Sequence, residues 1–187
     1  MTIILILVCF GLGIFLWSFI EYLIHGILSH RFRTPVAAMH WEHHRNPRRV
    51  FTSPIVAIIV SPLLWLGFSM LLGKFFAFVL ITGVVVGFAR YEYVHWRIHF
   101  REPKNKYQQR LKAHHLAHHF CNARMYHGVT TDFWDRVFGT LNSEELREQH
   151  YQKSLLTPTM EGESNFGDIY SWRGLKILAD TFKKKSN

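Results

Sequence analysis

Residues 2–20, TIILILVCFGLGIFLWSFI, carry no charged side chain. A helix crossing the hydrocarbon core of a bilayer needs about 20 such residues, and in lipid only helices and closed barrels satisfy their own backbone polar groups. Two more uncharged blocks follow, SPIVAIIVSPLLWLGFSMLLG (53–73) and FFAFVLITGVVVGFA (75–89), separated by Lys74 alone. Three such blocks in 187 residues point to an all-α, integral membrane bundle of about three spanning helices with a polar helical cap. The first block has no basic leader and no small-residue cleavage site after it, so it reads as a retained span rather than a signal peptide.

Charge orients the bundle. Between residues 31 and 50 lie Arg31, Arg33, Arg45, Arg48 and Arg49 against a single Glu42. The positive-inside rule places that segment in the cytoplasm and the N-terminus outside, so that residues 96–187 return to the cytoplasm. The net charge of +9 sits beside the spans, which suits anionic headgroups and argues against nucleic acid as a partner. Cys9 and Cys121 fall in different compartments on this topology, so no disulfide framework is expected.

The chain holds 13 histidines, and every one falls on the cytoplasmic side of that topology. Residues three and four apart share a helix face. His40, His43 and His44 have that pattern, His115, His118 and His119 repeat it, and His95 and His99 are four apart. His25 and His30 are five apart, about 140° around a regular helix; they converge only if the helix ends or distorts near Ser29, or if they serve different ions. Neutral imidazole suits Zn, Cu or Fe, whereas Mg and Ca want oxygen. Ten imidazoles exceed what one ion holds, so two metal ions are expected. Acidic side chains lie nearby at Glu21, Glu42, Glu92, Asp132 and Asp135. Glu21, one turn before His25, is placed either to accept its distal N–H or to pair helices, and Asp135 either to orient a ligand or to cap a turn.

At WSFIEYLIHGILSH (17–30), HWEHH (40–44), YEYVHWRIH (91–99) and HHLAHH (114–119), the chain resembles the fatty acid hydroxylase superfamily, membrane-bound oxygenases that include sterol desaturases and related carotenoid hydroxylases. GVTTDFWDRVFGTL (128–141) resembles the segment that follows the last histidine box. The resemblance implies metal ligation by His25, His30, His40, His43, His44, His95, His99, His115, His118 and His119, with His114 and His127 as additional candidates; His150 matches no box and reads as a surface residue. Gly26 stands where relatives often carry arginine.

It also implies an enzyme: a non-haem di-iron, O₂-dependent hydroxylase acting on a lipid C–H bond, most readily in an acyl tail. Zinc is an alternative metal in isolated protein, and sterol or carotenoid hydroxylation or desaturation an alternative chemistry. Outside the superfamily, the residues also allow a membrane zinc hydrolase or a metal-handling protein, although the blocks offer only Ser61, Ser69 and Thr82 as mid-span polar groups in the second and third. With no haem or flavin segment in the sequence, electrons are expected from a separate cytochrome- or ferredoxin-type donor. Trp65, Phe68, Phe75, Phe76 and Phe78 either line a substrate groove or simply pack and face lipid. The expected organisation is a hydroxylase-like domain over 1–141 and a cytoplasmic tail over 142–187. Within that tail 143–153 is helical, and 169–185 either lies in the membrane interface or packs on the cap. The terminal KKSN is similar to a dilysine retrieval signal. The minimal architecture favours a bacterial inner membrane, or the endoplasmic reticulum in a eukaryote.

Overall fold

The computed structural model describes residues 2–52, 54–162 and 164, and among them there are helices and no strands. α1 spans Thr2–Tyr22, passes through a π-helical turn (Leu23–Leu28) and ends in the short α2 (Ser29–Arg31). α3 (Pro35–Arg45), α4 (Pro54–Phe100), α5 (Lys106–Phe120), α6 (Phe133–Val137) and α7 (Glu144–Leu155) follow. Two stretches, Thr2–Arg31 and Ile58–Phe100, are long and apolar enough to cross a membrane.

α4 is a hairpin rather than one rod. Gly73 has φ 74° and ψ 156°, a conformation that a residue with a Cβ rarely adopts, and the backbone reverses there. Leu64, Trp65 and Phe68 pack against Leu80, Ile81 and Val84, although a straight helix would hold Leu64 and Val84 about 30 Å apart. The Trp65 indole N–H donates to the Lys74 carbonyl at 3.3 Å across the bend. The second and third apolar blocks are thus antiparallel arms, 54–72 and 74–100, joined by almost no loop.

α1 runs alongside the second arm because small residues let the two backbones touch. A Cβ on Gly13 would strike the Leu80 carbonyl, and one on Gly83 would strike that of Phe10; Gly87 makes room for Trp17. Gly83 and Gly87 are four apart, the spacing that allows close helix approach in lipid. The opposite side of α1 exposes Ile3, Ile4, Leu7 and Leu12, apolar surface suited to lipid and costly in water. Beyond the arms, α5 packs through Leu111 and Leu116 onto Ile98 and Val129. Its other side, Ala113 and Ala117, meets Tyr126 and Tyr151, the latter on α7. α6 closes over α1, where Trp134 packs against Phe15 and Phe19 and donates its indole N–H to Ser18 Oγ at 3.0 Å. α7 covers the helix expected near 143–153; the 169–185 segment and the terminal KKSN lie outside the described residues.

Gly83→Ala is expected to destabilise the fold by about 1–3 kcal/mol, since the added methyl meets backbone. Gly67→Ala, where nothing lies within 4 Å, should be neutral or slightly stabilising. Thermal unfolding in detergent compares the two.

Candidate metal centre

Local capping sets the direction of the two short helices that carry most of the histidines. Thr34 accepts the Ala37 N–H at 3.1 Å ahead of Pro35, a favoured first helical residue, and so starts α3. Asn105 accepts the Gln108 N–H at 2.9 Å and starts α5. From these starts His40, His43 and His44 face inward from α3, and His115, His118 and His119 from α5. His95 and His99 come from the end of α4.

His25 and His30 converge because the helix widens between them. The π-helical turn Leu23–Leu28 replaces the usual bonding with i→i+5 bonds: the Ser29 N–H and its hydroxyl both donate to the Ile24 carbonyl. Five residues thereby return to nearly one face, and the two rings lie 6.3 Å apart.

The ten imidazoles form two groups of five. His43, His95, His99, His115 and His119 offer nitrogens within 4.8 Å of one another; His115 Nε2 lies 3.0 Å from those of His95, His99 and His119, and His95 Nε2 is 3.0 Å from His43 Nε2. His25, His40, His44 and His118 form the second group. His30 joins it through Nε2 contacts of 2.8 Å to His40 and 3.0 Å to His118. The groups are adjacent, with the His44 and His119 rings stacked at 4.2 Å.

Backbone carbonyls fix the tautomer of three of these rings. His43 Nδ1–H donates to the Arg49 carbonyl (3.0 Å), His118 Nδ1–H to that of Met125 (2.8 Å) and His25 Nδ1–H to that of His127. In each neutral ring the proton is then on Nδ1 and Nε2 carries a bare lone pair. The His25 Nε2 is buried without a partner. Burial, followed by repulsion from neighbouring rings, drives His40, His43, His115, His118 and His119 well below the usual imidazole value, and burial lowers His44 to about 4. Neutral imidazole nitrogens gathered about 3 Å apart, three of them bare at Nε2, make a donor set suited to a cation. Two nitrogens bound at right angles to an ion 2.0–2.1 Å from each would be separated by about 3.0 Å, so both donor sets fit metal.

The carboxylates act one step back. Glu21 does not reach His25: it accepts the Val129 and Thr130 N–H groups at 2.7 and 2.8 Å and the Thr130 hydroxyl at 2.7 Å. Asp135 accepts the His127 and Gly128 N–H groups, each at 2.7 Å, the Thr140 hydroxyl, and His114 Nε2–H at 3.1 Å. Burial alone would raise the Asp135 carboxyl; its bonds, from His114 first, hold it below its usual value. Glu92 accepts the Thr52 N–H. Each carboxylate braces a segment, 127–130 or 49–52, whose carbonyl orients an imidazole. Glu42 pairs with Arg45 and Arg49, and Asp132 with Arg110 and Arg136.

Neither additional candidate joins a donor group. His114 lies between Asp135 and the Tyr151 hydroxyl, a structural bridge. His127 supplies its carbonyl, while its ring occupies the space left by the missing Cβ of Gly26, so an arginine there would require this ring to move. His150 is half-buried rather than a surface residue, its Nδ1 3.0 Å from the Tyr126 hydroxyl. Both cysteines are free.

A largely apolar cavity of about 120 Å³ leads to the histidines. Trp17, Ile20, Val60, Leu64, Val84, Val85 and Phe88 line its apolar part, and His25, His40, His43 and His95, two from each group, line its polar end. None of the five aromatics considered from sequence lines it: Phe75 and Phe78 are exposed, Phe76 packs beside Phe75, and Trp65 and Phe68 lie against the helix core. The real walls are mostly aliphatic and carry no sequence signal apart from general hydropathy.

Fold and site together define an apolar helical protein with a paired, all-histidine metal-binding centre at the end of a greasy channel. The sequence family described as fatty acid hydroxylase matches residues 10–140, and the protein belongs to that family. It is 35% identical over 149 residues to human fatty acid 2-hydroxylase, covering 73% of this chain and 40% of the relative. A dihydroceramide fatty acyl 2-hydroxylase of Arabidopsis thaliana is 32% identical over 139 residues, covering 69% and 58%. A solved structure, full-length scs7p with only the hydroxylase domain visible, superposes with TM-score 0.67 at 28% identity, covering 76% of this chain and 58% of that one. The sequence thus spans well under two thirds of the length of these relatives.

Two outcomes test the centre. Asp135→Asn, which touches no proposed ligand, is expected to weaken metal retention roughly 10–100-fold by releasing the His127 carbonyl from its brace, measured by competition with a chelator. For metal-free protein the histidine contribution to the linkage has one sign: unfolded imidazoles take up protons below about pH 6.5 while the buried rings stay neutral. The stability that His44→Gln removes from the pH dependence should therefore be full above that pH and fall continuously toward about 4, the His44 value, in denaturant titrations of wild type and variant across that range.

Proposed function

We propose that this protein is a membrane-embedded hydroxylase that inserts one atom of O₂ into a C–H bond of a lipid's acyl tail, at carbon 2 by analogy with the names of its relatives. The observation that carries the reading is the meeting of the apolar channel with both histidine groups. Iron is the proposed metal, one ion held by His43, His95, His99, His115 and His119 and the other by His25, His30, His40, His44 and His118. When bound, the pair supplies the redox chemistry that no protein side group provides for an unactivated C–H bond.

The protein's own residues do the rest. Val60, Leu64, Val84, Val85 and Phe88 accept a tail between the helices and keep water from the reacting carbon. The Arg49, Met125 and His127 carbonyls hold the Nδ1 protons of His43, His118 and His25, so each Nε2 faces its ion. Burial keeps the donors neutral, as ligation demands. Electrons come from a separate one-electron donor protein of the cytochrome or ferredoxin class, two per turnover. The histidine end is proposed to face the cytoplasm on the strength of the arginines between 31 and 49. The relatives named are eukaryotic and lend no support to a bacterial inner membrane.

Lipid mass spectrometry on cells with and without the protein, grown under ¹⁸O₂, tests the reading. Acyl lipids should gain one heavy oxygen only when the protein is present. Heavy oxygen arriving from labelled water instead would identify a hydrolase. His99→Ala should abolish product and lower bound iron from about two ions per protein molecule toward one. Val85→Trp, which narrows the channel, should cut product on long acyl tails roughly 10–100-fold with iron retained.

A further inference from the structure

A second cleft opens on a different face of the 74–100 arm, between it and the start of α5. Its volume is about 330 Å³. Val94, Ile98 and Leu111 form its floor, and Arg90, Arg97 and Arg101 stand along its rim. Those arginines are seven and four residues apart, so they share one helix face. The uncharged run 75–89 ends at Arg90, which puts that guanidinium at the hydrocarbon boundary if the arm spans. At 1.5 Å per residue, Arg97 and Arg101 stand about 10 and 16 Å above it, a range that includes the headgroup layer. Tyr93 and Tyr107, both exposed, flank them, and such aromatic residues favour the interface.

The guanidiniums are held in place without being neutralised. Arg90 donates to the Tyr107 hydroxyl at 3.2 Å, and that hydroxyl donates to the Thr130 carbonyl at 3.0 Å. Arg97 donates to Gln108 Oε1 at 3.0 Å and to the Tyr93 hydroxyl at 3.4 Å. Arg101 stacks on Trp96 at 5.0 Å. Among the described residues none of the three makes an ion pair, whereas nearby Arg110 and Arg136 both pair with Asp132. The acidic group in the cleft, Glu102, is engaged by buried Lys112 and by Thr159. Oriented positive charge without a counter-ion, set over an apolar floor, matches a phosphate joined to acyl tails: guanidinium forks take the phosphate oxygens and the floor takes the first methylenes.

We propose that this cleft binds the phosphate headgroup of an anionic membrane lipid, at a site separate from the histidine channel. The inference rests on the membrane placement of α4 but not on hydroxylation, and its readout needs no turnover.

Native mass spectrometry of the detergent-solubilised protein titrated with phosphatidylglycerol tests it. Wild type should hold this lipid in preference to phosphatidylcholine. Each lost guanidinium should weaken binding roughly fivefold, so Arg97→Gln with Arg101→Gln should weaken it about 25-fold. Arg124→Gln with Lys153→Gln removes equal charge from exposed positions elsewhere and should change nothing. Thermal unfolding checks each variant; if the first pair unfolds, Arg101→Gln alone, which disturbs only the stack on Trp96, must still show its fivefold loss. Equal losses in both pairs, undiminished binding in the first, or displacement of the lipid by inorganic phosphate alone would each overturn the site. So would weakened capture of an acidic electron-donor protein by the first pair with lipid binding intact.

Discussion

Imidazole nitrogens crowded to about 3 Å from one another govern this molecule. Three rings have their Nδ1 protons fixed on backbone carbonyls; the Nε2 atoms of His43 and His118 lie about 3 Å from those of neighbouring rings, and that of His25 is buried without a partner among the described residues. Protonation is not an escape for His43 and His118, because burial first and then the neighbouring rings oppose a charge on either. A buried bare Nε2 needs a proton donor or a cation, and the surrounding structure must hold the rings at these distances. The braced carbonyls, the capped short helices and the buried carboxylates do so. Much of the polar interior is therefore support for this cluster.

The support follows one pattern. Glu21, Glu92 and Asp135 are buried or half-buried acids close to the histidines, and each is directed at backbone N–H groups rather than at the centre itself. A carboxylate placed directly in either group would add a negative charge to the donor set and alter which ions it favours. Keeping the acids one step away leaves an all-nitrogen donor set while still fixing the geometry through the intervening carbonyls.

Much of this was legible in the sequence. The apolar blocks announced the helices, and the i, i+3, i+4 spacings on α3 and α5 announced which imidazoles converge. The partition into five and five was not legible, because it depends on which neighbours the end of α3 meets: His43 and His44 are adjacent in sequence, yet the first reaches His95 and the second His118. Nor could spacing settle His25 and His30, whose separation suits a π-helical turn and not a regular helix. Glu21 and Asp135 were rightly singled out as acids near the histidines, but their partners are amide groups more than 100 residues away for Glu21 and seven or eight away for Asp135, and amides carry no residue-type signal. The channel was missed for a similar reason. Its aliphatic walls look like any other part of the spans, while the aromatics that drew attention face outward or pack.

The widened turn at Leu23–Leu28 has a consequence for how the molecule tolerates change in length. A π-helical turn is in effect one surplus residue absorbed by a helix, and here the surplus lies between two inward-facing imidazoles. Losing a residue within 26–29 would restore ordinary helical bonding and set the two histidines four apart, still on a common face. Gaining one would set them six apart, which neither winding brings together. Shortening and lengthening at this point are therefore unequal: the join between α1 and α2 can contract by a residue and keep its geometry, but has no slack in the other direction.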